Sequence, residues 1–409
     1  MRGTNLRPLQ LWAGMVALAA ALAPPGAFAA SGMSDNVIKI GILNDRSGAY
    51  ADLGGEGSVV AARMAAEEFG NAVDGTPVEI VSADHQNKPD IGLGIVRRWF
   101  DTDKVDVVAD ISNSGVGFAV VSLAKERNKI VLNASASSDF TGKACTRTSF
   151  QWVYSSYTNG YGLANALAKR KLDQWFLITV DYSFGHAFSA DMRRAIDANG
   201  GKIIGEVRHP LNTADFSSLL LQAQASGAKV IALANAGADT TTAVKQASEF
   251  GISSKQTLVA PTVFLTDIDA MGLAAAQGLQ FVTAFYWDRN EASRAWAKKY
   301  FERQGRMPTM TQAGVYSAVR HYLKAVQAAK SDDGLIVADK MRALPVSDSF
   351  ASGQVRIDGQ FVHDMYLARV KKPADSKQRW DYYEIVSTIP AEEAFRPLNE
   401  GGCPLVHQQ

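Results

Sequence analysis

The sequence lacks the short motifs that mark common catalytic and cofactor sites. It contains no G-x-S-x-G turn, no P-loop, no G-x-G-x-x-G segment and no His-Glu-x-x-His pair. Its six histidines are scattered, and no two lie at the spacing of a metal-binding pair. We therefore predict a protein that is not an enzyme, with no catalytic residues, no metal and no cofactor. A hydrolase whose groups are brought together only by the fold is the alternative that these absences leave open.

A strong charge of either sign is also lacking. The chain has 42 Lys and Arg residues against 41 Asp and Glu residues. Two of the basic residues and none of the acidic ones lie in the first 30 residues, which leaves 40 basic against 41 acidic. Such a balance gives no electrostatic reason to bind nucleic acid or to attach to an anionic membrane.

Long apolar runs are scarce. Residues 9–22 form one that is short for a bilayer-spanning helix. Two arginines precede it, two prolines follow it, and Ala27-Phe28-Ala29 has a cleavage pattern. These features are typical of a signal peptide over residues 1–30, cut after Ala29 or Ala30, and the alternative is a membrane anchor. No cysteine lies near the cleavage site, so we expect a protein exported to a bacterial periplasm, with no lipid attachment and no membrane insertion.

Cysteine is almost absent. The two cysteines, Cys145 and Cys403, are most simply a disulfide in an oxidising compartment. Such a bond would tie a C-terminal tail of residues 391–409 to the middle of the chain. Two isolated cysteines without a nearby histidine pair make a poor metal site.

What the sequence does contain is a repeated strand–loop–helix pattern. Residues 38–43 are an apolar run typical of a buried strand. Residues 44–54 are rich in glycine and small polar residues, and residues 58–69 form an alanine-rich amphipathic stretch. In open α/β sheets, ligands bind beyond the carboxyl ends of the strands, so residues 44–54 lie where a site is expected.

The same pattern recurs in two successive stretches, and about 380 residues after cleavage suit two domains. Apolar strands that run into loops of Ser, Asn, Asp or Gly are predicted near residues 78–81, 105–109, 130–132, 174–180 and 230–234. Helix capping alone could explain any one of these loops. A binding site requires them to converge at one edge of a sheet.

Residues 38–69 (IKIGILNDRSGAYADLGGEGSVVAARMAAEEF) resemble the type I periplasmic solute-binding proteins of ABC importers, in particular the branched-chain amino-acid-binding class. Residues 181–185 are similar to the D-Y-x-[YF]-G turn of that family. Residues 245–247 with Gly251 are similar to its helix ending in Q-A-x-x-x-G. The resemblance covers about residues 37–390.

This resemblance implies an α/β fold of two Rossmann-like lobes with parallel central sheets, joined by three hinge crossings and closing on a ligand. We expect the first lobe to contain residues 37–150 and 285–345, and the second to contain residues 153–283 and 352–390. The crossings are expected near residues 151–155, 283–285 and 343–352. The closed form would dock on an ABC transporter permease in the inner membrane.

The resemblance also implies ligand-binding positions. In the first lobe they are Ser47, Tyr50, Asn113, Ser114, Ser135, Ala136 and Ser137. In the second lobe they are Tyr182, Phe184, Asn235, Ala236 and Thr262. First-lobe hydroxyl and backbone groups hold a ligand carboxylate in the family. Thr262 stands where a Glu pairs with the α-ammonium, and Ala236 or Gly237 stands where the family has a Tyr.

A cleft with no carboxylate would bury an ammonium group unpaired, which is costly. The leading expectation is therefore a small carboxylate with an aromatic or other non-α-amino body. The alternatives are a branched-chain or other amino acid, and the sensor domain of a membrane receptor.

Several aromatic and charged side chains allow two interpretations. Tyr182 and Phe184 can form walls of the cleft or pack at the edge of a lobe. For Trp152, Tyr154 and Trp287, packing beside the hinge is the simpler interpretation. Arg46 can pair with an acid or lie on the surface.

Overall fold

The structure is a computed structural model that describes residues 32–168 and 170–407, together with Met1 and Gly3. Apart from those two residues, the predicted signal peptide lies outside the described residues. Within the part of the chain that the structure describes, no helix is both long and apolar enough to cross a membrane.

Six strands form the first sheet. In chain order they are β1 (Ile38–Asn44), β2 (Ala72–Val73), β3 (Thr76–Asp84), β4 (Val107–Asp110), β5 (Ile130–Asn133) and β6 (Ser149–Gln151). Their order across the sheet is β2-β3-β1-β4-β5-β6, and every neighbouring pair is parallel except β2 with β3. Helices α1 (Gly55–Glu67), α2 (Pro89–Asp101) and α3 (Ser114–Arg127) follow β1, β3 and β4.

Strand β1 lies in the middle of this sheet because its side chains are apolar on both faces. Ile38, Ile40 and Ile42 on one face and Leu43 on the other are completely buried, as expected for a parallel strand that is covered on both sides. Gly41 has no side chain, and a Cβ there would overlap the ring of Trp99 from α2. Helix α2 therefore packs directly on the strand.

The second half of the chain repeats this alternation. Its elements are α4 (Gly162–Ala168), β7 (Gln174–Val180), α5 (Ser183–Ala198), β8 (Lys202–His209), α6 (Ser217–Ala225), β9 (Val230–Ala234), α7 (Ala238–Glu249), β10 (Thr257–Val259), α8 (Leu265–Met271), α9 (Leu273–Ala276) and β11 (Gln280–Thr283). The remaining elements are α10 (Glu291–Gln304), α11 (Met310–Ala329), α12 (Gly334–Ala343), β12 (Val346–Ser347), β13 (Ser352–Val355), β14 (Phe361–Val362), β15 (Met365–Val370), β16 (Tyr383–Ile389) and α13 (Ala391–Ala394).

The second sheet has the order β16-β15-β11-β10-β9-β7-β8. Strands β8, β7, β9, β10 and β11 are parallel, whereas β15 and β16 are added antiparallel. The predicted α/β fold with parallel-dominated sheets is confirmed. Helices α10 and α11 return to the first half, where both contact α1.

A small sheet of β12, β13 and β14 adjoins the first sheet. The N–H of Gln151 in β6 donates to the carbonyl of Gly359 at 3.0 Å. Gly359 has a φ of 85° and follows Asp358 in the turn between β13 and β14, and a Cβ there would overlap the carbonyl of Ser149. After β11, the chain returns to the second sheet at β15.

Cys145 and Cys403 form the predicted disulfide, which is confirmed. Cys145 precedes β6, and Cys403 lies in the tail that follows β16. The guanidinium of Arg396 donates to the carbonyl of Ser138 at 2.7 Å, so the tail also makes polar contact beside the disulfide.

Replacing Cys403 by Ser should lower the free energy of unfolding by roughly 2–5 kcal/mol, because the bond constrains a long loop in the unfolded chain. Urea unfolding with and without dithiothreitol measures the effect. The reductant should lower the midpoint of the wild type to that of the variant and leave the variant unchanged. Equal midpoints for both oxidised proteins would contradict this role.

Candidate ligand-binding cleft

The carboxyl ends of the parallel strands meet at one edge of each sheet. In the first sheet, Leu43 of β1 is opposite Asp110 of β4, and Asp110 is opposite Asn133 of β5. In the second sheet, Val180 of β7 is opposite His209 of β8. The polar loops that follow these strands therefore converge, as the binding-site interpretation requires.

The two edges face each other. The hydroxyls of Tyr50, after β1, and Tyr182, after β7, lie 2.5 Å apart. The N–H of Ala238, at the start of α7, donates to the carbonyl of Ala49 at 3.1 Å. Loops of the first and second sheets are thus in direct contact.

Most of the first-lobe hydroxyl and amide groups predicted to bind ligand have partners in their own part of the chain. The hydroxyl of Ser47 is exposed and donates to Asp84 at 2.7 Å. Asn113 accepts backbone N–H groups of the first turn of α3 and caps that helix. The hydroxyl of Ser135 donates to the carbonyl of Ile111. The contacts of Asn113 support the capping interpretation, and the hydroxyls of Ser47 and Ser135 join neighbouring segments of the first sheet.

Polar groups at the end of the loop after β5 also have hydrogen-bond partners within the protein. The hydroxyl of Ser137 accepts the N–H of Asp139 at 3.4 Å. Ala136 is buried, and its carbonyl accepts the N–H of Ser156 at 2.5 Å. This loop is held against the segment that follows β6.

Two buried hydroxyls in the loop after β4 have no partner. Ser112 and Ser114 are 7% and 0% exposed, and neither Oγ atom has a hydrogen-bond partner among the residues that the structure describes. Ser114 is the first residue of α3, where the partial positive charge of the helix N-terminus favours an anion. A buried hydroxyl without a partner is costly, so a ligand oxygen at this point would relieve that cost.

The predicted polar residues of the second half also have partners. The amide nitrogen of Asn235 lies 3.1 Å from Nε2 of His209, whose pKa is lowered by burial. The amide oxygen of Asn235 accepts the hydroxyl of Thr240 at 2.7 Å. The Oγ1 of Thr262 accepts the amide of Asn159 at 3.4 Å. Thr262 is completely buried, so its surroundings have little room for a longer side chain.

Aromatic rings form an apolar surface on the second-sheet side of the cleft. The rings of Tyr182 and Phe184 stack with centroids 5.9 Å apart, and Phe188 packs 4.7 Å beyond Phe184. Tyr50 of the opposite edge lies 6.4 Å from Phe184, and the nearby Ala236 is buried. The predicted aromatic and small residues are thus brought together, although Phe184 is only 2% exposed.

Two buried carboxyls lie near Tyr154. Asp110 accepts the amide of Asn44 at 2.8 Å with one oxygen, and its other oxygen has no partner. Asp267 accepts the N–H of Phe264 at 3.0 Å. Burial raises the pKa of Asp110 to about 6 and that of Asp267 to about 7. Burial also raises the pKa of Tyr154, and both carboxylates raise it further.

These two carboxyls were not considered in the sequence analysis. Replacement of the family Glu by Thr262 led there to the expectation of a cleft with no carboxylate, which stays a prediction. Asp110 is the last residue of β4 in the first sheet, and Asp267 lies in the first turn of α8.

The backbone at the end of β4 adopts an uncommon conformation. Asp110 and Ile111 have φ values of 77° and 54°, in the left-handed region that a β-branched residue rarely occupies. The carbonyl of Ile111 then accepts the hydroxyl of Ser135 from the loop after β5. Backbone strain of this kind is typical of functional sites.

Arg46 is paired at the side of the cleft. Its guanidinium forms an ion pair with Glu56 and donates to the hydroxyl of Ser82 at 3.0 Å. It lines a cavity of about 300 Å³ together with Arg306 and Tyr300. Arg46 therefore has an acidic partner within the protein.

The sequence analysis missed Asp110, Ser112 and Asp267, and it favoured hinge packing for Tyr154. Asp110 is the last residue of β4, and Ser112 lies between it and Ser114 at the start of α3, so the pattern of polar residues at the end of a strand contained the signal. Nothing in the local sequence distinguishes Asp267 from an ordinary helix-capping residue. Within the described ranges, no group of three or more His, Cys, Asp or Glu side chains could hold a metal ion.

Comparisons with known proteins agree with this architecture. A family model described as periplasmic binding protein matches residues 37–377. The chain belongs to this family. A periplasmic binding protein from Burkholderia mallei is similar to it, with 43% identity, a TM-score of 0.89, and coverage of 90% of this chain and 99% of that one. A branched-chain amino acid ABC transporter periplasmic ligand-binding protein from Burkholderia xenovorans LB400 has 40% identity, a TM-score of 0.81, and coverage of 90% and 99%.

Among curated proteins, a Leu/Ile/Val-binding protein homolog 6 from Brucella melitensis is 26% identical over 265 residues. That match covers 63% of this chain and 66% of the relative's length. The resemblance to type I periplasmic binding proteins of ABC transporters is confirmed. The relatives are transporter solute-binding proteins and not enzymes.

Replacing Asp110 by Asn should stabilise the protein increasingly as pH rises. The raised folded pKa means that ionisation of Asp110 costs stability as pH passes from about 4 to above 6. The stability difference, variant minus wild type, should therefore grow by about 2–3 kcal/mol across this range, since one pKa unit is about 1.4 kcal/mol. Urea unfolding at several pH values measures it.

Asp215→Asn is the matched control. Hydrogen bonds from Ser217 lower the pKa of Asp215, so its ionisation stabilises the fold as pH rises. The stability difference for this variant should change in the opposite direction. A difference for Asp110→Asn that does not vary with pH would contradict a raised pKa.

Proposed function

We propose that the chain is the solute-binding component of an ABC importer, and that it encloses a small carboxylate with an aromatic or other non-α-amino body between its two sheets. The observation that carries this proposal is the pair of unpartnered buried hydroxyls, Ser112 and Ser114, at the N-terminus of α3. The lobe boundaries and hinge crossings given above belong to the proposal.

The carboxylate is the chemical group that fits this point. It accepts hydrogen bonds at both oxygens, and it would satisfy the hydroxyls of Ser112 and Ser114 together. The N-terminus of α3 adds a favourable electrostatic contribution of about 0.3–1 kcal/mol, or more in a buried setting. A neutral solute would gain the hydrogen bonds but not the helix contribution.

The aromatic body is supported by the rings of Tyr182 and Phe184 on the opposite side. Aromatic pairs add about 0.5–1.5 kcal/mol beyond the burial of their area. A solute-binding protein from R. palustris, 19% identical with a TM-score of 0.80, is in complex with benzoate. Its likeness to this chain is in the fold, and benzoate is accordingly a suitable probe.

The proposed transport cycle ends with delivery of the solute to a permease. Residues 1–30 would direct export to the periplasm and be removed there. Solute binding would favour the closed arrangement of the two sheets by stabilising it over the open one. The closed form would then dock on a permease in the inner membrane and release the solute to it.

A second candidate ligand is a branched-chain or other amino acid. The buried carboxyls of Asp110 and Asp267 beside Tyr154 favour it, because they could pair with an α-ammonium. The relative from Burkholderia xenovorans is named for branched-chain amino acid transport. The two candidates differ in whether the ligand carries a positive charge, which makes them separable by experiment.

Calorimetric titration with benzoate, 4-hydroxybenzoate, L-leucine and L-valine tests the proposal. An aromatic carboxylate should bind and raise the melting temperature by mass action. Ser114→Ala should weaken that binding about ten-fold or more, since a hydrogen bond to a charged group is worth about 1.5–3 kcal/mol.

Ser349→Ala is the matched control, because Ser349 also has a buried hydroxyl without a partner but lies between β12 and β13. It should leave the affinity unchanged. Tight binding of leucine with no binding of aromatic acids would replace the first candidate by the second. Turnover of ester or amide substrates without binding of any probe would contradict the transport function.

The pH dependence of affinity separates the two ligands independently. An ammonium paired with Asp110 and Asp267 should bind less tightly as pH falls from about 8 to about 5, because these carboxyls become protonated. An aromatic carboxylate should bind equally well or more tightly over the same range, because negative charge is removed from the cleft. Titrations at four pH values, repeated with Asp110→Asn, measure the trend.

A further inference from the structure

The segment of residues 48–53, here named the closing loop, connects the two edges of the cleft. Its Tyr50 hydroxyl lies 2.5 Å from that of Tyr182, in the loop after β7. Its Ala49 carbonyl accepts the N–H of Ala238, at the start of α7 after β9, at 3.1 Å. The closing loop thus contacts two separate loops of the second sheet.

The far end of the closing loop contacts a third loop of the second sheet. The hydroxyl of Thr266, in α8 after β10, donates to the carbonyl of Asp52 at 3.2 Å. Asp52 also forms an ion pair with Arg306 at 2.8 Å, which ties it to the segment between α10 and α11. The contacts therefore run along the closing loop from Ala49 to Asp52.

Hydrogen bonds to residues outside the second sheet hold the closing loop in place. Asp45 is completely buried and accepts the N–H groups of Gly48 and Tyr50, both at 2.8 Å. The hydroxyl of Thr309 donates to the carbonyl of Leu53 at 2.6 Å. These bonds do not involve the second sheet, so the loop presents a preformed surface to it.

The approach of the second sheet to this surface requires a glycine. Gly237 has a φ of 61°, and a Cβ there would overlap the carbonyl oxygen of Ala49. The absence of a side chain therefore lets the backbone after β9 reach the closing loop.

We propose that the closing loop is a latch, and that the hydroxyls of Tyr50 and Tyr182 hold the cleft closed by bonding to each other rather than to the solute. Their hydroxyls satisfy each other, unlike those of Ser112 and Ser114. This inference rests on the proposed function, in which the two sheets close on a solute. The latch sets how long the solute stays, because these contacts must break before the cleft opens.

Stopped-flow dissociation of benzoate and of L-leucine, and small-angle X-ray scattering without solute, test the latch. Tyr50→Phe and Tyr182→Phe should each raise the dissociation rate about five- to ten-fold, as expected for one lost hydrogen bond. The double variant should be no faster than either single variant, because both remove the same bond. The radius of gyration of the solute-free variants should exceed that of the wild type.

Tyr322→Phe is the matched control. Tyr322 is buried in α11, and its hydroxyl has no partner, so its removal should change neither rate nor radius. Multiplicative effects of the two latch variants would overturn the proposal, since they would indicate independent contacts with the solute. Unchanged rates and an unchanged radius would also overturn it.

Gly237→Ala supplies a second test through the backbone contact. It should increase the radius of gyration and weaken binding about ten-fold or more by blocking the approach to Ala49. Gly272→Ala is its control, because Gly272 also has a positive φ, 79°, yet a Cβ there meets no atom within 4 Å. Equal behaviour of the two variants would overturn the latch.

Failure of the latch and failure of the proposed function give different results. If neither benzoate nor L-leucine binds the wild type, the proposed ligands are wrong, and the radius of gyration alone decides the latch. An unchanged radius in Tyr50→Phe and Gly237→Ala would then overturn it. If either solute binds the wild type, the dissociation rates decide it.

Discussion

Parallel pairing of the central strands is the constraint on which the site depends. Because β1, β4 and β5 run in the same direction and in register, their polar ends reach one edge of the first sheet. The same pairing brings the ends of β7, β9 and β10 to one edge of the second. Short polar loops can then form a cleft without any single long insertion.

The chemistry inside that cleft follows from which polar groups are left without partners. Most loop hydroxyls and amides are used to cap helices or to join neighbouring loops, and Asn113 and Ser135 are examples. Among the described residues, several aspartates are buried, whereas no lysine, arginine or glutamate is buried. In the proposed function, a ligand anion would therefore rely on hydroxyls and a helix terminus.

Local sequence was sufficient for the alternation of strands and helices and for the disulfide. These features depend on residues close in the chain or on the chemistry of a single pair. The neighbourhood of Asp110, Tyr154 and Asp267 was not predictable in this way, because it joins three distant segments. Whether a buried hydroxyl has a hydrogen-bond partner was also not predictable, since Ser114 and Ser135 differ only in whether the fold supplies an acceptor.

The bond between Cys145 and Cys403 has a topological consequence for the whole molecule. It closes a covalent ring that includes all of the second sheet and the return of the chain to the first. A single proteolytic cut anywhere in that ring leaves both fragments in one covalent molecule. Such a nicked protein would keep its mass until a reductant released the pieces.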